Sequence, residues 1–215
     1  MSSGPRPGTG LEKLVAGLET GSVPLSARRR QAAVMIPLFP LAGAAAGHGL
    51  VLVEKSADLR SYAGQIAFPG GGVDAGDADV PAAARREAAE EVGITPEEID
   101  VLGLLPPVNA VTGHHVSPVV GLWRSPRPLA PVDTVEVAAV HTVTLAQLVE
   151  PTHRWTWKHR LGFTGPAFVI GELFIWGLTA HLINDLLERG GWTRPWERDR
   201  VTAIPERFDG AARQL

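Results

Sequence analysis

The hydrophobic and polar positions along the chain follow two different periods. HGLVLVEKS (48–56) and HVSPVVGLW (115–123) are short apolar or alternating runs, which predict strands. Residues 80–92 and LFIWGLTAHLINDLLERGG (173–191) show helical spacing and predict helices. The resulting order of strands, glycine loop, helix, strands and long helix favours an α+β fold, with helices on both faces of one sheet.

The segment REAAEEVGI (86–94) carries three glutamates within five positions. Glu87 and Glu91 stand four residues apart on one helix face, and Glu90 borders the same face. Like charges at this spacing cost a few tenths of a kcal/mol per pair on an exposed helix. A divalent cation reverses that penalty, and carboxylate oxygens suit Mg²⁺ or Mn²⁺. The alternative is a solvated acidic face relieved by Arg85 and Arg86.

The loop before this helix favours the metal interpretation. FPGGG (68–72) places three glycines ahead of the helix, where glycine allows close backbone approach and positive φ. A backbone carbonyl of this loop could complete a metal coordination shell, and its N–H groups could meet an oxyanion. Pro81 near the start of the helix and Gly93 at its end give the helix defined limits.

Composition narrows the function classes. The formal net charge is −3 and the pI about 6.2, so the sequence predicts no nucleic-acid partner and no anionic membrane partner. The chain has no cysteine, which excludes disulfides, thiolate metal sites and a cysteine nucleophile. The first ten residues lack the apolar run of a signal peptide, so a cytoplasmic protein is expected.

With these residues in view, the chain resembles the Nudix hydrolases, whose signature is G-x5-E-x7-R-E-U-x-E-E-x-G-U, where U is a bulky aliphatic residue. Counting from Gly72, six signature positions match: Arg86, Glu87, Glu90, Glu91, Gly93 and Ile94. Two positions depart, because Ala78 replaces the first glutamate and Ala88 replaces an aliphatic residue. The first departure puts the bracing role of that glutamate in doubt.

A narrower resemblance is to the coenzyme A pyrophosphatase branch, with its added motif L-L-T-x-R-S-x3-R-x3-G-x3-F-P-G-G. The spacing from Arg60 through Gly64 to FPGG is intact, while Val53 and Lys55 replace the usual Thr and Arg. The branch also tends to show aspartates after PGG, as at Asp74 and Asp77 here. The match covers about residues 30–190.

The resemblance implies a Nudix-type α/β/α sandwich with a mixed sheet and a metal-binding loop–helix, within predicted ranges 1–25 (extension), 26–190 (Nudix domain) and 191–215 (tail). It implies Mg²⁺- or Mn²⁺-dependent hydrolysis of the pyrophosphate of coenzyme A or acyl-CoA, giving 3′,5′-ADP and 4′-phosphopantetheine or its acyl form. The implied partner is this small molecule, and a homodimer is left open. The implied catalytic residues are Arg86, Glu87, Glu90 and Glu91. The implied metal ligands are Glu87, Glu90 and Glu91. The implied substrate-binding residues are Arg60, Gly64, Phe68, Gly70 and Gly71.

Several alternatives stay open from the sequence. The substrate could be another nucleoside diphosphate derivative such as ADP-ribose, or the domain could bind a nucleotide without cleaving it. Arg86 is expected to orient a glutamate rather than to touch substrate. The general base is unassigned among the signature glutamates, Glu136, His114 and His115. Phe68 either stacks on substrate or belongs to the core.

Overall fold

A computed structural model describes residues 7–20, 30–42, 47–59, 61–110 and 113–208 of the chain. The strands of its first sheet are β1 (Gln31–Pro40), β2 (His48–Lys55), β3 (Ile66–Ala67), β4 (Gly70–Gly72), β5 (Ile99–Leu104), β6 (Val108–Asn109), β7 (His115–Trp123) and β8 (Val137–Thr144). The sheet runs in the order β3-β2-β1-β7-β5, with β4 beside β1, β6 beside β7 and β8 beside β2. β1 and β7 are parallel and the other pairs are antiparallel, so the sheet is mixed.

A smaller second sheet contains β9 (Arg154–Lys158), β10 (Thr164–Ile170), β11 (Leu173–Ile175) and β12 (Val201–Ala203). Its strands run in the order β11-β10-β9-β12. The helices are α1 (Pro7–Ala16), α2 (Val80–Val92), α3 (Leu145–Val149) and α4 (Gly177–Arg189), and short 3₁₀ turns lie at Pro96–Glu98, Pro151–His153 and Glu206–Phe208.

The central strand β1 separates two hydrophobic layers because its side chains alternate between the two faces of the sheet. Ala33 and Met35 belong to the layer that contains the buried side of α2. Ile36 and Leu38 belong to the other layer, which contains buried residues of α1 and α4. Helices therefore cover both faces of a mixed sheet, and the predicted α+β sandwich is confirmed.

Two segments differ from the prediction made on periodicity. The helix predicted over 173–191 begins only at Gly177, because Leu173–Ile175 pairs with β10 as a strand. The chain after residue 192 showed no period, yet Val201–Ala203 forms a strand parallel to β9. Both strands form by pairing with another segment, and the hydrophobic period of a single segment does not report such pairing. In the described part of the chain, no helix is long and apolar enough to cross a membrane.

Candidate metal and active site

Helix α2 is fixed at both ends by its own residues. The Asp79 side chain accepts a hydrogen bond from the Ala82 N–H at 2.8 Å, which satisfies one of the free donors at the helix start. Gly93 adopts φ +70°, and its N–H donates to the Ala89 carbonyl at 3.0 Å. Ala83, Ala84 and Ala88 are fully buried against the sheet, and Glu91 is buried on the same side of the helix, whereas the Glu90 side chain is exposed.

The glycine strand β4 lies directly beneath Glu87. A Cβ atom at Gly71 would stand 2.7 Å from Glu87 Oε1, a distance that real Cβ contacts do not reach. Glycine at this position therefore allows the backbone and the carboxylate to approach closely, because an added side chain would displace the Glu87 carboxylate. Gly71 pairs with Ala33 of β1, so the register of the sheet fixes this approach.

Arg86 connects the glycine strand, the following loop and two of the glutamates. Its guanidinium donates to Gly72 O, Glu87 Oε1 and Glu90 Oε2, each at 2.9 Å. It also donates to both carboxylate oxygens of Asp77 at 3.1 Å. Arg86 thus contacts protein groups on several sides, which is the geometry of a residue that orients its neighbours.

Asp77 makes the contact that the missing signature glutamate at Ala78 left in doubt. Its side chain is only 7% exposed and accepts two hydrogen bonds from Arg86. The Arg86 guanidinium lowers the pKa of Asp77 below its ordinary value. Asp77 was noted in the sequence as one of the aspartates after PGG. Only the structure shows that the acidic partner of Arg86 stands at position 77, one residue before the signature position occupied by Ala78.

Glu91 is the most buried of the three glutamates, with a side chain 3% exposed. Its Oε1 accepts from Lys55 Nζ at 2.5 Å, and its Oε2 is buried with no hydrogen-bond partner among the described residues. Burial raises the pKa of Glu91 and of Glu87 above their ordinary values, although the neighbouring cations oppose that shift. A buried carboxylate oxygen that lacks a donor fits a cation ligand.

Two cationic side chains pair with the three glutamates. Arg86 pairs with Glu87 and Glu90, Lys55 pairs with Glu91, and the Glu90 side chain is 56% exposed. Among the residues that the structure describes, no three acidic or histidine side chains are already gathered as a metal site. Metal ligation by Glu87, Glu90 and Glu91 therefore stays a prediction, which the unpaired Glu91 oxygen favours.

Glu136 approaches the site from the turn before β8. Its Oε2 lies 3.6 Å from Lys55 Nζ, the same ammonium that pairs with Glu91. The Ser56 N–H donates to the Glu136 carbonyl at 2.8 Å, which holds this turn against the end of β2. The sequence named Glu136 as a later candidate for the general base, and its contact with Lys55 became visible only in the structure.

The remaining predicted residues fall in different places. Phe68 is 3% exposed and lies in the core layer on the α4 side of the sheet, so little of its ring is accessible. Gly64 has φ +66° and its N–H donates to the Lys55 carbonyl at 3.0 Å. Gly70 pairs with Val34 in the sheet. Arg60 lies outside the described residues. Substrate contact by Arg60, Gly64, Phe68, Gly70 and Gly71 stays a prediction.

The chain matches known proteins over most of its length. The model of the NUDIX domain matches residues 29–161. The chain belongs to the Nudix family. Two Nudix relatives, each named "Uncharacterized Nudix hydrolase NudL", are 42% identical to it. The one from Cronobacter sakazakii aligns over 75% of this chain and 83% of its own length, and the one from Shigella flexneri over 76% and 84%.

A solved Nudix structure supports the same fold. The Nudix hydrolase RenU from M. smegmatis superposes with a TM-score of 0.54 at 19% identity, covering 79% of this chain and 91% of RenU. At that identity the likeness concerns the fold alone. The range matched by the NUDIX domain includes α2 and the glycine strand before it.

The ion pair between Asp77 and Arg86 should stabilise the segment between β4 and α2 at all but acidic pH values. Because the folded pKa of Asp77 is lowered, the pair contributes its full stability above about pH 4 and loses it as pH falls through the lowered pKa. We expect Asp77→Asn to reduce the free energy of unfolding by about 2 kcal/mol at neutral pH. Turnover should fall about tenfold, since Arg86 loses one of its anionic partners. Denaturant unfolding at neutral and acidic pH, with steady-state kinetics, measures both.

Asp74→Asn is the matched control for this prediction. Asp74 is 74% exposed and its Oδ2 lies 3.8 Å from Arg86, so its loss should change stability and turnover little. Equal effects of the two substitutions, or an unchanged acid profile in Asp77→Asn, would show that Asp77 does not brace Arg86.

Proposed function

We propose that the protein hydrolyses the pyrophosphate bond of coenzyme A or an acyl-CoA with the help of Mg²⁺ or Mn²⁺. The products are 3′,5′-ADP and 4′-phosphopantetheine or its acyl form. The family assignment supports hydrolysis as the reaction class. The observation that carries the choice of substrate is the intact spacing R-x3-G-x3-FPGG from Arg60 to Gly71, the motif of the coenzyme A branch.

The described part of that motif is built into the site. The segment after residue 60 returns to β2, where the Gln65 carbonyl accepts from the Lys55 N–H at 2.9 Å. It then runs through the buried Phe68 into the glycine strand below Glu87. The segment between the motif glycines is thus hydrogen-bonded to the Lys55 backbone and leads into the strand beneath α2. This supports the view that the motif and the signature form one site.

The residues of α2 suit a hard divalent cation. Glu91 offers a buried oxygen with no partner in the described chain, and Glu87 lies against the glycine strand. When bound, such an ion offsets negative charge on phosphoryl oxygens and lowers the pKa of a coordinated water. Arg86 orients Glu87 and Glu90 through its hydrogen bonds and braces them against Asp77.

We assign the role of general base to Glu136. Its Oε2 lies 3.6 Å from the Lys55 ammonium that also pairs with Glu91, which supports a role beside the proposed metal ligands. It is 53% exposed, so it has access to water and can accept a proton from the attacking water. The histidine candidates have their own neighbours at the start of β7, where His115 Nδ1 lies 3.0 Å from Asn109 Oδ1.

A substrate panel tests the proposed function. The purified protein is incubated with Mn²⁺ and, separately, CoA, acetyl-CoA, ADP-ribose and a dinucleoside polyphosphate, and the products are identified by mass. Cleavage of CoA or acetyl-CoA to 3′,5′-ADP and the pantetheine phosphate supports the proposal. Rapid turnover of ADP-ribose with intact CoA would retain a hydrolase and reject this substrate. Binding of CoA by calorimetry without any product would instead indicate a nucleotide-binding domain.

A further inference from the structure

Lys55 stands at the metal site in a position that the structure specifies closely. It is the last residue of β2, and the pairing of β2 with β8 shifts register between Glu54 and Lys55. A shift of this kind re-aims the side chain that follows it. The Lys55 carbonyl accepts from Gly64, whose φ of +66° favours glycine. The backbone from which the ammonium extends is therefore fixed on both sides.

The ammonium joins two carboxylates that come from different elements. Nζ lies 2.5 Å from Glu91 Oε1 on α2 and 3.6 Å from Glu136 Oε2 before β8. The Lys55 and Glu91 side chains are 11% and 3% exposed, so this pair interacts with little screening by water, whereas Glu136 is 53% exposed. Among the three glutamates, Glu91 is the one held by lysine, whereas Arg86 holds Glu87 and Glu90.

The two oxygens of Glu91 are treated differently. Oε1 is neutralised by Lys55, while Oε2 is buried without a partner among the described residues. A divalent ion bound at Oε2 would lie close to the ammonium on Oε1, and the two cations would repel each other through a poorly screened interior. Glu136 offers the ammonium a second carboxylate, so release from Glu91 does not leave the lysine without a counter-charge.

We propose that Lys55 is an internal counter-ion that competes with the divalent metal for Glu91. In the metal-free protein its ammonium pairs with Glu91 Oε1 and offsets the charge of this buried carboxylate. When the metal takes Glu91, the ammonium is released to Glu136. This inference rests on the proposed metal-dependent function and adds a residue that sets the affinity of the site for its metal.

The choice of lysine is consistent with a releasable partner. Lysine supplies 3 of the 20 cationic side chains of the chain, at positions 13, 55 and 158. An ammonium is a compact charge on a flexible stem, whereas a guanidinium holds a carboxylate in a fixed two-point geometry. The motif of the coenzyme A branch has arginine at this position. Lys55→Arg is therefore a suitable test variant, because it keeps the positive charge while its guanidinium releases the Glu91 carboxylate less readily than an ammonium does.

Binding of Mn²⁺ alone to chelator-treated protein tests the competition, with no substrate present. We expect Lys55→Met to bind Mn²⁺ at least about tenfold more tightly than the wild type, because the competing charge is gone. Lys55→Arg should bind no more tightly than the wild type. Lys158→Met, on an exposed position of the second sheet, should leave the affinity unchanged. The metal-free Lys55→Met protein should melt at a lower temperature and gain more from Mn²⁺.

A measurement on the wild type covers the case in which Lys55→Met does not fold. Amine-specific labelling, mapped by mass spectrometry, compares the three lysines with and without Mn²⁺. Lys55 should become more reactive on metal binding, while Lys13 and Lys158 serve as internal references. Unchanged labelling of Lys55, or Mn²⁺ affinity in Lys55→Met equal to or below that of the wild type, overturns the competition but leaves the proposed hydrolase intact. Failure of the wild type to bind Mn²⁺ at all overturns both.

Discussion

Replacing Glu91 by glutamine is expected to lower CoA turnover on the order of 10³-fold, equivalent to about 4 kcal/mol of transition-state stabilisation. The substitution keeps the shape of the side chain but removes the charge of the most buried glutamate, whose Oε2 has no partner among the described residues. A neutral amide is a poor ligand for a hard divalent ion, so Mn²⁺ affinity should fall together with the turnover. Steady-state kinetics and Mn²⁺ calorimetry on the same preparation provide the measurement.

Glu97→Gln is the matched control for Glu91→Gln. Glu97 is an exposed glutamate on the 3₁₀ turn just after α2, so it tests the same chemical change outside the site. Turnover and Mn²⁺ affinity of this variant should equal those of the wild type. If Glu91→Gln retained metal binding and most of its turnover, Glu91 would be a structural partner of Lys55 and the proposed metal site would be wrong.

Helix α2 was predicted over 80–92 and is observed as Val80–Val92, because every signal that defines it is local. Its starting proline and its final glycine lie within or beside the helix, so no distant contact moves its ends. Helix α4 was predicted from residue 173 and begins at Gly177, because its first residues pair with β10 instead. The hydrophobic period of a segment carries no information about its pairing with a distant strand. For the same reason the sequence did not predict β12.

The candidate site also has a part that the sequence predicted and a part that it did not. The spacing of Glu87, Glu90 and Glu91 places their side chains on one side of α2, as the helical period requires. Which cation holds each glutamate depends instead on contacts between distant segments, since Lys55 and Glu91 are 36 positions apart. Glu136 reaches Lys55 only through the pairing of β2 with β8. Sequence reasoning therefore identified the acidic residues but not the charges around them.

Replacing Glu136 by glutamine should separate catalysis from metal binding. If Glu136 accepts the proton of the attacking water, its loss should reduce kcat on the order of 10³-fold, within the range typical of general bases. Mn²⁺ affinity should fall far less than in Glu91→Gln, because Glu136 contacts Lys55 rather than the free oxygen of Glu91, and only the counter-charge for the released ammonium is lost. The affinity for CoA should also change little, so the defect should appear in kcat and not in KM.

The pH dependence of kcat gives this assignment its sharpest check. A general base must be deprotonated, so wild-type kcat should rise with pH through the pKa of that base, and the rise should be lost from the residual activity of Glu136→Gln. Glu172→Gln, an exposed glutamate at the β10–β11 turn, is the matched control and should keep the wild-type kcat and profile. A Glu136→Gln enzyme with near-normal kcat would return the role of base to the other candidates, which are the signature glutamates, His114 and His115.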